Sequence, residues 1–110
     1  MIFNVNDIEE KVMPNFMGGE KELRANIRID ELGKILASAT LVPGASIGEH
    51  THTDSSEIIL LLSGKGTLID DGESFPVEAG QVLYCPKGHT HSLINTSDED
   101  LVFFAVVPKQ

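Results

Sequence analysis

All four histidines of the chain fall between positions 50 and 91. His50 and His52 are one residue apart. On a strand that spacing points both imidazoles to one face, whereas on a helix it would splay them apart. Glu57 follows His52 by five residues, an odd step that an unbroken strand would turn to the opposite face. Between them lie Thr53, Asp54, Ser55 and Ser56, all of them turn formers. A turn there resets the phase and lets Glu57 join the two histidines. His91 opens a further strand, after the turn Pro86-Lys87-Gly88. Three imidazoles and one carboxylate suit a first-row divalent ion: Mn, Fe, Co, Ni, Cu or Zn. Four protein donors leave two positions of an octahedron for a substrate or for oxygen. The plainer alternative puts His50 and His52 on a solvated edge strand; Glu57 and His91 in matching phase weigh against it.

Strands must carry these residues. From Lys34 onward, apolar runs at Ile35–Val42, Ile58–Leu62, Thr67–Ile69, Gln81–Cys85, Ser92–Ile94 and Leu101–Val107 are rich in β-branched and large apolar side chains. Turn chemistry separates them, as at Pro43-Gly44, Gly64-Lys65-Gly66, Ala79-Gly80 and Asn95-Thr96-Ser97-Asp98. Asp71-Gly72 between two short strands signals a hairpin. Such spacing describes a small all-β sandwich or barrel. The first third is less patterned. Asp7 to Val12 allow one helical turn ended by Met13-Pro14, and Glu22–Ile29 alternates as a half-buried strand. A length of 110 residues is that of one domain. Its folded surface should be roughly 6,000 Å².

The segment from Gly44 through His50, His52 and Glu57 to Gly64 has the spacing G, five residues, H-x-H, four residues, E, six residues, G. The segment from Gly80 through Pro86, Gly88 and His91 to Asn95 reads G, five residues, P-x-G, two residues, H, three residues, N. All ten fixed positions fit the two cupin motifs. Each motif alone is loose, but the pair in order is specific. The chain resembles a small single-domain cupin. That resemblance implies a double-stranded β-helix, a jelly-roll-like barrel over residues 34–110, with residues 1–33 as a short N-terminal extension packed on it. It also implies His50, His52, Glu57 and His91 as ligands of one divalent transition metal. Asn95 is read as bonding nearby backbone in a turn.

Other polar residues near the motifs leave alternatives open. His89 shares strand parity with His91 and either sits at the pocket mouth or is an exposed turn histidine. Tyr84 alternates with Cys85, so one of the two faces inward; Cys85 reads as a buried small hydrophobe. Tyr84, His89 and Lys87 are the candidates for a catalytic acid or base, and Lys87 is the one cation within the motifs. In Ile58–Leu62 both faces are apolar and need cover. Ile59 and Leu61 share the face of Glu57, while Ile58, Leu60 and Leu62 await the N-terminal third or a partner subunit. Adjacent Phe103 and Phe104 pose the same problem, so a homodimer is expected.

Eight Lys and Arg against 17 Asp and Glu give a formal charge of −9. No basic face is available for nucleic acid or for an anionic membrane. The start lacks a basic and apolar leader, no run reaches the roughly 20 apolar residues of a membrane span, and the single cysteine fits a reducing compartment. The expected setting is the cytoplasm. Two functions remain: a metalloenzyme (dioxygenase, decarboxylase or other lyase, or isomerase) acting on an organic acid, diketone or sugar derivative, or a metal-dependent binding module without turnover. Either would take a small anionic ligand, and metal affinity should fall below about pH 6.

Overall fold

The computed structural model describes residues 1–110. Ten strands carry the chain: β1 (Glu10–Pro14), β2 (Glu22–Asp30), β3 (Gly33–Leu41), β4 (Ser46–Thr51), β5 (Glu57–Ser63), β6 (Lys65–Asp70), β7 (Glu73–Glu78), β8 (Val82–Cys85), β9 (Thr90–Ile94) and β10 (Leu101–Pro108). They form two antiparallel sheets, one of six strands in the order β1-β2-β3-β10-β5-β8 and one of four in the order β4-β9-β6-β7. Non-consecutive neighbours in both sheets make this the double-stranded β-helix that the motifs implied. The molecule has 6143 Å² of accessible surface, which matches the scaling for one compact core of this mass. No helix is long and apolar enough to cross a membrane.

Alternation along the strands builds that core. In β10, Leu101, Phe103, Ala105 and Val107 are buried while the residues between them are partly exposed. Phe103 is fully buried against inward residues of β3 and β5, including Leu41, Ile59 and Leu61. Hairpin β6–β7 closes at Asp71 and Gly72, both with positive φ (48° and 85°), the backbone of a turn whose twist matches its strands. Pro76 is tolerated in β7 because that strand is the free edge of its sheet. Asn95 ties the end of β9 to distant backbone. Its amide donates to the Leu41 and Glu99 carbonyls at 2.7 Å each, and its carbonyl accepts from Ser97 N–H at 3.0 Å. The turn role expected of it is therefore only half of what it does.

The N-terminal third departs from the helical expectation. A single 3₁₀ turn covers Val5–Asp7, and Glu10–Pro14 is strand, paired with β2. β2 would otherwise leave a row of unpaired backbone groups at the sheet edge. Pro14 falls at the end of the outermost strand, where its missing N–H costs no ladder bond. Between β1 and β2 the chain makes a strap, Asn15–Lys21, which lies on β4. Gly48 permits the approach, since a Cβ there would collide with the Met17 carbonyl.

Candidate metal centre

The four motif residues reach one point from three places in the fold. His50 on β4 stands opposite His91 on β9. His52 lies just past β4, and Glu57 is the first residue of β5. Ile47 pairs with Leu93 while His50 pairs with His91, so β4 carries one more residue than β9 over this stretch. That is a β-bulge, and it lets both Ile47 and His50 face inward despite their odd separation. The bulge also turns the Gly48 carbonyl to accept from His50 Nδ1 at 2.7 Å. With Nδ1 protonated, a neutral His50 presents its lone pair at Nε2.

The turn Thr53–Ser56 does reset the strand phase, and the end of the chain holds it. Ser56 N–H donates to the Pro108 carbonyl, and Gln110 N–H to that of Asp54 at 2.8 Å. Ser55 Oγ lies 3.1 Å from His52 Nδ1, a contact that fixes the ring and leaves Nε2 facing the centre. His52 Nε2 is 3.0 Å from His91 Nε2, and His91 Nε2 is 3.1 Å from His50 Nε2. Glu57 Oε1 lies 2.7 Å from His91, 3.1 Å from His52 and 3.8 Å from His50. Metal bonds of about 2.1 Å would place neighbouring donors roughly 3.0 Å apart at right angles and about 3.4 Å apart at tetrahedral angles. The donor set fits a first-row divalent ion in both chemistry and spacing.

Electrostatics point the same way. His52, Glu57 and His91 are buried, and lone pairs aimed at one another must share protons or a cation. Burial pushes the Glu57 carboxyl up, but contacts with His50, His52 and His91 together outweigh it and hold the group well below the usual carboxylate range. Burial likewise pushes the His50 imidazole down; the Glu57 carboxylate and the Gly48 carbonyl outweigh that, and its pKa ends above the ordinary value. Cys85, opposite Glu57 in register, has its thiol pushed up to about 11, by burial first and then by nearby carboxylates. It is inert, as a small core residue should be.

A cavity of about 190 Å³ opens beside His50, His52 and Glu57, with Phe16 and Met17 of the strap on one wall. The other sequence candidates lie outside it. Tyr84 points outward and is exposed, because its neighbour Cys85 takes the inward position. His89 is exposed and paired with Asp71, which raises the imidazole and lowers the carboxyl. Lys87 is exposed, with Nζ 3.5 Å from the Gln110 carbonyl. Glu49, next to His50 on β4, points the other way and is exposed.

The cupin-domain family pattern matches residues 37–107. The chain belongs to the cupin family. Among its cupin relatives, an oxalate-binding protein of Thermotoga maritima is 32% identical over 112 residues, covering 97% of this chain and 93% of the relative. A solved structure from Thermotoga maritima, described as a predicted oxalate decarboxylase, superposes with a TM-score of 0.89 at 29% identity, each chain fully covered. A cupin 2 conserved barrel protein from Salinispora arenicola gives 0.74 at 27% identity, over 99% of this chain and 88% of the other.

Sequence reasoning missed two features around the site. One is the Gly48 carbonyl, placed by a bulge that has no signature in residue type. The other is Lys34, which also lines the cavity. Its signal was available, since it stands an even step from Leu36 on β3.

Proposed function

We propose that His50, His52, Glu57 and His91 hold one divalent transition ion, and that this cupin uses it to bind and transform a small anionic, oxygen-rich metabolite. The observation that carries the reading is the convergence of four donors, all within 4.8 Å of one another, beside a cavity open to a ligand. When bound, the ion supplies Lewis acidity to ligand oxygens and stabilises developing enolate or carboxylate charge. The three imidazoles and Glu57 fix its position, and the Gly48 carbonyl holds the tautomer of His50. Phe16 and Met17 shield one side of the cavity from water. The similarity to an oxalate-binding protein supports an organic acid as the ligand class. Small α-hydroxy or dicarboxylic acids should bind the metal-loaded protein and hardly bind the metal-free protein. Calorimetric titration of both forms decides this, and equal binding to the two overturns the proposal.

A binding module without turnover is the second reading, and one observation favours it. Tyr84, His89 and Lys87 all lie outside the cavity lining. Asp54 and Lys34 are the titratable groups left there beside the cluster. Turnover of a bound acid by metal-loaded protein separates the two readings.

The assembly we propose is a homodimer. Ile58, Leu60, Leu62, Val82 and Tyr84 are 38–62% exposed and adjoin across β5 and β8, where Ile58 pairs with Tyr84 and Leu60 with Val82. β1 and β2 extend the opposite edge of this sheet and leave the patch bare. A contiguous apolar face of this kind marks an interface, and a second copy covers like with like. Sedimentation equilibrium at micromolar concentration should give twice the 11.9 kDa chain mass; the single-chain mass excludes the dimer. A cytoplasmic setting suits the single, buried Cys85.

A further inference from the structure

The cavity beside the histidine cluster contains one cationic side chain outside that cluster, Lys34. Lys34 stands two residues before Leu36 on β3, and residues two apart on a strand share a face. Leu36 is buried in the core and lines the cavity, so Lys34 faces inward at the barrel mouth. Val107, its partner in register on β10, is also buried and also lines the cavity. Arg24 and Arg28 are spent in ion pairs with Glu10 and Asp30. Lys21 and Lys87 bond backbone carbonyls. Lys34 is half-buried and engages in neither kind of contact, although Asp54 lies on the rim of the same cavity. In a chain of net charge −9, a half-buried lysine in the cavity lining with no carboxylate partner is suited to pair with an anionic ligand.

The rest of the lining defines what that anion carries. The His50, His52 and Glu57 side takes a chelating head. Phe16, Met17, Ile47 and Val107 offer hydrocarbon. A volume near 190 Å³ exceeds the roughly 150 Å³ that admits benzene in an engineered cavity, so there is room beyond a two-carbon acid. We infer that Lys34 is a specificity-determining residue that pairs with a second carboxylate, selecting short dicarboxylic acids with a hydrocarbon segment over monocarboxylic acids with the same chelating head. This rests on the metal-dependent reading given above. The lysine reads the far end of the ligand, and the metal ligands read the near end.

Malate and lactate test it, because they share an α-hydroxycarboxylate head and differ in the second carboxylate. Both are titrated into Ni(II)-loaded wild-type protein, Lys34→Met and Lys34→Arg. A charge-assisted hydrogen bond in a partly buried site gives roughly tenfold to hundredfold in affinity. Wild-type protein should therefore prefer malate to lactate by at least about tenfold. Lys34→Met should lose that preference with lactate binding and nickel content unchanged, and Lys34→Arg should keep part of it. If both acids bind and the wild type shows no preference, or Lys34→Met weakens both equally, the role of Lys34 is overturned while metal-dependent binding stands. If neither acid binds the nickel-loaded wild type, the role of Lys34 and the reading beneath it both fall. Should Lys34→Met not fold, the wild-type preference and the Lys34→Arg titration still decide the matter.

Discussion

Replacing His91 by alanine should lower the affinity for a divalent transition ion by at least about a hundredfold and leave no stoichiometric metal after dialysis. Loss of groups that merely orient a ligand already costs tenfold to hundredfold, and His91 is proposed as a ligand itself. Its Nε2 is 3.0 Å from His52, 3.1 Å from His50 and 2.7 Å from Glu57 Oε1. Nothing else on β9 can substitute, since Ser92 points away and gives its hydroxyl to the Ile47 carbonyl. The control is His89→Ala, whose side chain is exposed and paired with Asp71; it should keep a full equivalent. Metal content by emission spectroscopy, with circular dichroism to confirm the fold, checks both. A full equivalent in His91→Ala would remove it from the site.

Metal-free and metal-loaded protein should respond to pH in opposite directions. The His50 pKa is raised above its ordinary 6.5, so its contribution to folding is complete below about pH 6.5 and fades as pH rises through the folded-state value. The Glu57 pKa is lowered below its ordinary 4.5, so its contribution is complete above about pH 4.5 and fades as pH falls toward the folded-state value. The metal-free chain should therefore melt highest between about pH 4.5 and 6.5. Metal binding requires neutral imidazoles, and each proton it displaces costs up to about tenfold in affinity per pH unit. Because His50 holds its proton more tightly than a free imidazole, the loss of affinity should begin above pH 6.5, higher than an ordinary histidine would give. Melting curves of both forms from pH 4.5 to 8 test this. Parallel curves would show that proton and metal do not compete for the same atoms.

Much of the site was legible because its information is periodic or local. His50-x-His52 shows itself by strand parity, and the turn formers Thr53–Ser56 explain how Glu57 rejoins the same side. Hairpin β6–β7 is written in Asp71-Gly72. What was hidden depends on partners distant in the chain. The bulge in β4 that aligns Ile47 with His50 arises from pairing with β9, and no residue type announces it. Residues Glu10–Pro14 have weak local preference and become strand because β2 offers an edge. Asn95 looks like a turn residue, yet its amide reaches the Leu41 carbonyl across 54 positions. Lys34 escaped for a different reason. It borders an apolar run, and a lysine beside a turn reads as solvated until the parity with Leu36 is followed one step further. The bare face of Ile58, Leu60 and Leu62 was visible as a need for cover, and the sheet order settles that the N-terminal strands do not provide it.

We propose above that three imidazoles and one carboxylate of this chain hold a single metal ion. X-ray absorption at the edge of an added first-row ion tests it most directly, on the intact protein at neutral pH with the ion at one equivalent. One bound ion per chain is expected, with three imidazole nitrogens and one carboxylate oxygen from the protein at about 2.0–2.2 Å and oxygen from water or an organic acid completing the shell. A sulfur scatterer, fewer than three imidazoles, or an ion surrounded by water alone would contradict it.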